Sequence, residues 1–203
     1  MNIQALNDGQ RQEVELCRSR GELQRVVNYF HDADDAALLA MGVDRARLPA
    51  RDGWLRRLAS EVELGPRDQN TCYLIWRCDG VSVGHSSMNK IVYGEEGYAH
   101  LHLWDGCKRR RGLGTAFMQA SIDIYIQRFS LKRVISEPYT ENPGPNKLLP
   151  KLGFFFVKRY RTTPGLINFE QDVNRWQLTT LTVAGVNYFF GWRLSFLPVL
   201  GLH

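Results

Sequence analysis

The stretch from Tyr98 to Met118 constrains the fold more than any other. Tyr98-Ala99-His100-Leu101-His102-Leu103-Trp104 alternates polar or aromatic with apolar residues, the period of a half-buried strand. A basic turn follows, Lys108-Arg109-Arg110-Arg111-Gly112-Leu113-Gly114, and then Leu113, Phe117, Ile122 and Ile124 recur at roughly helical spacing over about 112–128. Leu131 to Glu137 reads as another strand. A strand, a helix and a strand in that order normally make the two strands parallel neighbours, because the helix carries the chain back to the starting edge. Two glycines at the helix start remove Cβ atoms, so the unpaired N–H groups there, together with the helix dipole, favour an approaching anion. The turn is therefore a candidate phosphate site.

The rest of the chain supplies antiparallel strands and helices around this unit. Residues 10–30 carry Val14, Leu16, Leu23, Val26, Val27 and Phe30 among charges, which predicts an amphipathic helix. Asp32, Asp34 and Asp35 precede a short apolar run that Gly42 ends, where a helix start wants acceptors and negative charge. The same aspartates would attract a cationic acceptor if they lined a cleft. A further helix is expected over 52–62. Cys72–Arg77 and Val81–Ser86, joined at Asp79-Gly80, read as a hairpin. After a loop at 141–146 come a short helix at 147–152, closed by Gly153, and strands at 154–160 and 167–178. The expected fold class is α+β, a mixed, mostly antiparallel sheet flanked by helices, with one domain over 1–178.

Thr179 to His203 form an apolar tail whose only formally charged side chain is Arg193. Its uncharged run is shorter than the about 20 apolar residues that a membrane span needs. Packing onto the domain, or onto a dimer partner, is the expected role. The chain as a whole, 44% hydrophobic and 23% charged, has the composition of an ordinary globular protein. Cys17, Cys72, Cys78 and Cys107 lack the paired short spacings of a zinc site, so no metal is expected. With no secretory signal pattern, they read as free thiols in a cytoplasmic protein.

Arg109-x-x-Gly112-x-Gly114, placed after a strand and opening a helix, resembles the acetyl-coenzyme A motif of the GNAT N-acetyltransferase superfamily. The resemblance continues in Asn142 to Phe154, Asn-Pro-Gly-Pro-Asn-Lys-Leu-Leu-Pro-Lys-Leu-Gly-Phe, which looks like that family's Asn-containing loop, short helix and closing Leu-Gly-Phe. It is close over about 71–178 and rests on helix placement alone over 10–62. It implies a sheet that splays at the parallel pair, acetyl-CoA as co-substrate, and direct transfer of an acetyl group to a primary amine of a small molecule or protein. Pyrophosphate would sit on Arg109, Arg110, Arg111, Gly112, Leu113, Gly114 and Thr115, and pantetheine on the backbone near Leu103 and Trp104. Asn142 and Asn146 would meet the coenzyme arm, although both are also ordinary turn residues beside prolines.

Two family positions depart from the pattern. The acidic base frequent on this strand falls at Tyr98, and a tyrosine that protonates the leaving thiolate falls at Leu149. His100 and His102 share the Tyr98 face by alternation, and Glu137 ends the next parallel strand, so these three are the candidate catalytic groups. The bland alternatives are sheet histidines bonded to neighbours and a solvated glutamate. Two other classes remain: a non-catalytic coenzyme-binding sensor or structural protein, and a nucleic-acid-binding module built on Lys108–Arg111. Aromatic residues do not interleave that basic run as a stacking platform requires, so no nucleic acid is expected. A dinucleotide-binding reading fails for want of a third glycine.

Overall fold

The computed structural model describes residues 2–7, 10–104, 113–183 and 186–189. The Arg109–Gly112 part of the motif, Cys107, and the tail beyond 189 lie outside the described residues. Nine strands are described: β1 (Asn2–Asn7), β2 (Gln10–Leu16), β3 (Cys72–Cys78), β4 (Val81–Val92), β5 (Glu96–Leu103), β6 (Arg133–Ser136), β7 (Phe155–Thr162), β8 (Gln171–Val183) and β9 (Val186–Phe189). They line up as β1-β2-β3-β4-β5-β6-β8-β7, with β9 on the end of β8. Every pairing is antiparallel except β5 with β6. The mixed, mostly antiparallel sheet expected from the strand-turn-helix-strand order is therefore present.

Helices cover both faces. On one lies α4 (Leu113–Phe129), whose Phe117, Met118, Ile122 and Ile126 pack on Leu74, Trp76, Met88, Ala99 and Val134. Trp76 stacks on Phe117 with ring centroids 5.3 Å apart, and its buried indole N–H donates to Ser121 Oγ at 2.9 Å. On the other face lie α1 (Arg20–His31) and α3 (Arg51–Val62), which bring Leu23, Val26, Val27, Phe30, Trp54, Leu55 and Leu58 down onto Ile75. The short α2 (Asp35–Ala40) and α5 (Pro143–Leu148) complete the set.

The predicted helix over 10–30 divides in two. Residues 10–16 form β2, in which Val14 and Gln12 face inward at period two, and the helix starts only at Arg20. Ser19 sets that start: its side chain accepts from the Glu22 N–H, while the Glu22 carboxylate accepts from the Ser19 N–H, a capping box within the amphipathic run. Arg77 pins the junction by pairing with both Glu15 and Glu22. The short helix after the proline loop also begins earlier than read, at Pro143, because Asn142 caps it and a proline fits its first turn. β8 continues through the 178 boundary to Val183.

One close approach fixes the strand that carries the site. Gly84 of β4 lies opposite Leu103 of β5, and a Cβ at position 84 would stand 2.5 Å from the His102 carbonyl oxygen and 3.0 Å from Trp76 Cε3. A backbone atom gives way less readily than a side chain. Gly84→Ala should therefore lower stability by about 1–3 kcal/mol, read as a drop in urea midpoint at unchanged m-value.

Candidate active site

β5 and β6 pair over three residues only, Glu96–Tyr98 with Arg133–Ile135. Ser136 then turns its hydroxyl to donate to the Ala99 carbonyl at 2.9 Å, and the strands part. β5 stays bonded to β4 on its other side, where Trp104 N–H donates to Val83 O at 2.9 Å. Backbone groups along a strand alternate in direction, so Leu101 and Leu103 turn theirs into the gap, as Ala99 does. Of the two residues predicted to offer backbone to a pantetheine arm, Leu103 faces the gap. Trp104 does not, since its N–H is taken by Val83, and Leu101 is the second group.

The gap opens into a cleft of about 1230 Å³. Its walls are the end of β5, the start of α4 at Gly114 and Thr115, the β6 end from Ser136 to Tyr139, the Asn142–Pro145 turn, and one stripe of α1 (Arg25, Asn28, Tyr29, Asp32). Because α4 and α1 lie on opposite faces of the sheet, the cleft is entered from two sides that meet at the splay. On the α4 side the first turn of a 17-residue helix points its N–H groups at the opening. A Cβ at Gly114 would meet only Leu148 Cδ1, at 3.6 Å, so packing does not demand glycine there. The Leu113 side chain is buried in the core.

The two asparagines part company. Asn142 caps α5 through Oδ1, which accepts from the Gly144 N–H at 3.3 Å, and its Nδ2 donates no hydrogen bond among the described residues. Asn146 donates to the Tyr139 and Asn142 carbonyls at 2.9 and 2.8 Å and accepts from Asn174 Nδ2 and Trp176 Nε1 at 2.9 and 3.1 Å. An amide side chain has two donors and room for two acceptor contacts, and all are used. Asn146 therefore ties the turn to β8 and has nothing left for a coenzyme.

Glu137 is not the solvated residue that the bland reading supposed. Its side chain is 4% exposed, its Oε1 accepts from Arg175 Nη1 at 3.0 Å and from the Tyr160 hydroxyl, and Oε2 takes no hydrogen bond among the described residues. Burial and the facing carboxylate push the Tyr160 hydroxyl up to about 12, so it stays a donor at neutral pH. Alternation puts His100 and Glu137 on the same face as the paired Tyr98 and Ile135, on either side of the splay, and both line the cleft, with Arg175 of β8 beside Glu137. Leu149, at the position of the absent tyrosine, is fully buried.

His100 and His102 both line the cleft, half-buried. Burial lowers His100 to about 4 and His102 to about 3, so both are neutral at pH 7. His100 Nε2 is buried without a hydrogen-bond partner among the described residues. A third histidine went unnoticed in the sequence. His85, opposite His102 across β4–β5, is fully buried and stacks on it at 4.7 Å. Its Nδ1 accepts the Trp104 indole N–H at 2.8 Å, and burial lowers its pKa far enough to keep that nitrogen free of a proton. Tyr29 closes the cluster, its ring edge-on to both His85 and His102.

The three aspartates are already engaged. Asp32 pairs with Arg51 at 2.6 Å, Asp34 caps α2 by accepting from Ala37 N–H at 2.7 Å, and Asp35 pairs with Arg45 at 2.5 Å. Asp32 and Asp34 line the cleft, whereas Asp35 is not part of its wall. Among the described residues no group of three or more His, Cys, Asp or Glu is placed to hold a metal ion, and no helix is long and apolar enough to cross a membrane.

An α+β sheet that parts at its one parallel pair, beside the N-terminus of the crossover helix, is the architecture of an acyl-group transferase that binds a pantetheine thioester. The acetyltransferase (GNAT) domain model matches residues 22–155, and the chain belongs to that family. No curated protein matches by sequence. Among solved structures, the ribosomal-protein-S5-alanine acetyltransferase of Vibrio fischeri is similar at 19% identity and a TM-score of 0.68, with 87% of this chain and 96% of that one covered. The spermidine N-acetyltransferase of Vibrio cholerae, in complex with CoA and spermine, is similar at 14% identity and 0.66, covering 83% and 95%. A ribosomal L7/L12 alpha-N-protein acetyltransferase in complex with coenzyme A is similar at 16% identity and 0.66, covering 83% and 93%. At these identities the likeness concerns the fold.

The histidines give a pH prediction. In the unfolded chain they titrate near 6.5, whereas in the folded one they refuse protons until about 4 and 3. The unfolded state therefore binds more protons below pH 6.5, and stability falls as pH drops from there toward 4. His102→Gln should flatten the urea midpoint over that window, and the His100 and His102 ring protons should not titrate above pH 5 by NMR.

Proposed function

We propose that this protein is an acetyl-CoA-dependent N-acetyltransferase that acetylates a primary amine in a ternary complex. The observation that carries the reading is the parted β5–β6 pair, whose free backbone groups open beside the α4 N-terminus. The residues present fit the coenzyme. Leu101 and Leu103 offer unpaired backbone groups to an amide-bearing arm, Asn142 offers its side-chain amide, and Gly114, Thr115 and the helix N-terminus meet a pyrophosphate. The basic run Arg109–Arg111, with Gly112, supplies the remaining phosphate contacts in this reading. When bound, acetyl-CoA supplies the activated acyl group.

The chain's own residues handle the amine. An acceptor reaches the cleft as an ammonium and must lose a proton before its nitrogen can attack. Glu137 is the group assigned to that proton. Protonating a carboxylate removes a charge, whereas protonating His100 or His102 creates a cation where burial already opposes one. Tyr160 and Arg175 hold Oε1, so Oε2 is the oxygen that takes the proton. His100, which lines the same cleft, orients the amine as a neutral hydrogen-bonding group. With Leu149 in the core, Tyr139, one of the hydroxyl-bearing residues that line the cleft, is the group assigned to the departing thiolate.

Titration calorimetry with acetyl-CoA tests the binding, and absence of heat at high micromolar coenzyme would sink the reading. Glu137→Gln should lower kcat in a thiol-release assay by about 100-fold while leaving acetyl-CoA affinity unchanged. Coenzyme binding without thiol release from any amine would mark a sensor instead.

A further inference from the structure

The electrostatics of the acceptor side point away from a polycation. Each carboxylate lining the cleft is compensated: Asp32 by Arg51 at 2.6 Å, Asp34 by the α2 N-terminus it caps, Glu137 by Arg175 at 3.0 Å. Two cations line the same cleft with no ion pair or hydrogen bond among the described residues, Arg25 and Lys151. They stand at different ends. Lys151 follows α5 on the wall with Asn142 and Gly144, where the coenzyme arm is assigned. Arg25 is on α1, across the sheet from α4, one turn before Tyr29, whose ring packs edge-on against His102. It is solvent-exposed and has no part in the core.

A polyamine would bring two or more ammonium groups into a cleft with one compensated carboxylate near the splay and an unpaired guanidinium along its path. Desolvating like charges at close range disfavours such a ligand. A guanidinium, by contrast, is a planar fork that accepts a carboxylate through two parallel hydrogen bonds. Resting on the acetyltransferase reading, we propose that the acceptor is a primary amine carrying its own carboxylate a few bonds away, and that Arg25 binds that carboxylate while Glu137 receives the amine. A free acidic amino acid and an N-terminus followed by acidic residues share this chemistry. In the transfer, Glu137 takes one proton from the arriving ammonium, the freed amine nitrogen forms the bond to the acyl carbon, the carbon–sulfur bond breaks with its electron pair leaving on sulfur, and the nitrogen's second proton passes to the departing thiolate by way of the Tyr139 hydroxyl.

The test is a thiol-release series with acetyl-CoA and four acceptors at equal concentration: glutamate, a tetrapeptide with glutamates at its second and third positions, the same peptide with glutamines there, and spermidine. The proposal expects kcat/KM for glutamate or the acidic peptide at least 10-fold above the neutral peptide and spermidine, and the better of the two identifies the source. Arg25→Gln should raise KM for that acceptor about 10-fold with kcat and acetyl-CoA affinity unchanged, and Arg25→Glu should reduce the preference further. Equal or better turnover of spermidine or the neutral peptide overturns the proposal and leaves the acetyltransferase reading intact. An Arg25→Gln loss confined to acetyl-CoA affinity also overturns it, by assigning Arg25 to the coenzyme. No coenzyme binding and no turnover of any amine would overturn both.

Discussion

Backbone hydrogen bonds left unmade where β5 leaves β6 are the constraint on which the site depends. A strand inside a sheet normally has both edges satisfied, and burying an unpaired peptide group costs about 1–3 kcal/mol. Here the pairing ends after Tyr98, and the sheet survives the break because β5 keeps its full bond to β4 while Ser136 satisfies the Ala99 carbonyl. The groups at Leu101 and Leu103 stay wet in a cleft and are not sealed in a core. That is an arrangement a ligand with an amide backbone of its own can complete. The α4 helix then starts beside the same opening, so the backbone donors of two elements converge without any side chain being required.

Side chains stabilise this break and leave the opening clear. Asn146 spends its whole amide on holding the Asn142 turn to β8, and Arg175 bonds Glu137, so the β6 side of the cleft is anchored to the strand beyond it. The α1 wall is built on another principle, packed rings: Tyr29 from α1 against His85 and His102 from the sheet. A polar anchor on one rim and an aromatic one on the other give a cleft that is fixed without being closed.

Much of this was legible in the sequence where local chemistry decides structure. The Asp79-Gly80 turn adopts positive φ at both residues, as a two-residue hairpin turn demands, and the alternating 98–104 stretch is a strand whose parallel partner follows its crossover helix. What escaped was set by register. Nothing near His85 announces that it will stand opposite His102, and nothing near Glu137 announces Arg175 and Tyr160, which arrive from strands far along the chain. The helix misread over 10–30 has a different origin, since two apolar residues at period two followed by a helical stripe satisfy a helical pattern if Ser19 is passed over as an ordinary polar residue. Nor does anything near Asp32 and Asp35 announce Arg51 and Arg45, which pair with them from further along the chain.

The bond from the Trp104 indole to His85 ties the last described residue of the β5 end to an imidazole sealed inside the protein. Neither group can change alone without cost. Losing the indole leaves a second orphan nitrogen on a ring that already has one at Nε2, and losing the imidazole leaves the indole N–H searching for an acceptor among aromatic carbons. Positions 85 and 104 thus form one unit of variation, free to drift together toward an apolar pair and resistant to drifting apart. In divergent sequences of this fold, the identity of the residue at the strand exit should be readable from a hairpin position some twenty residues earlier.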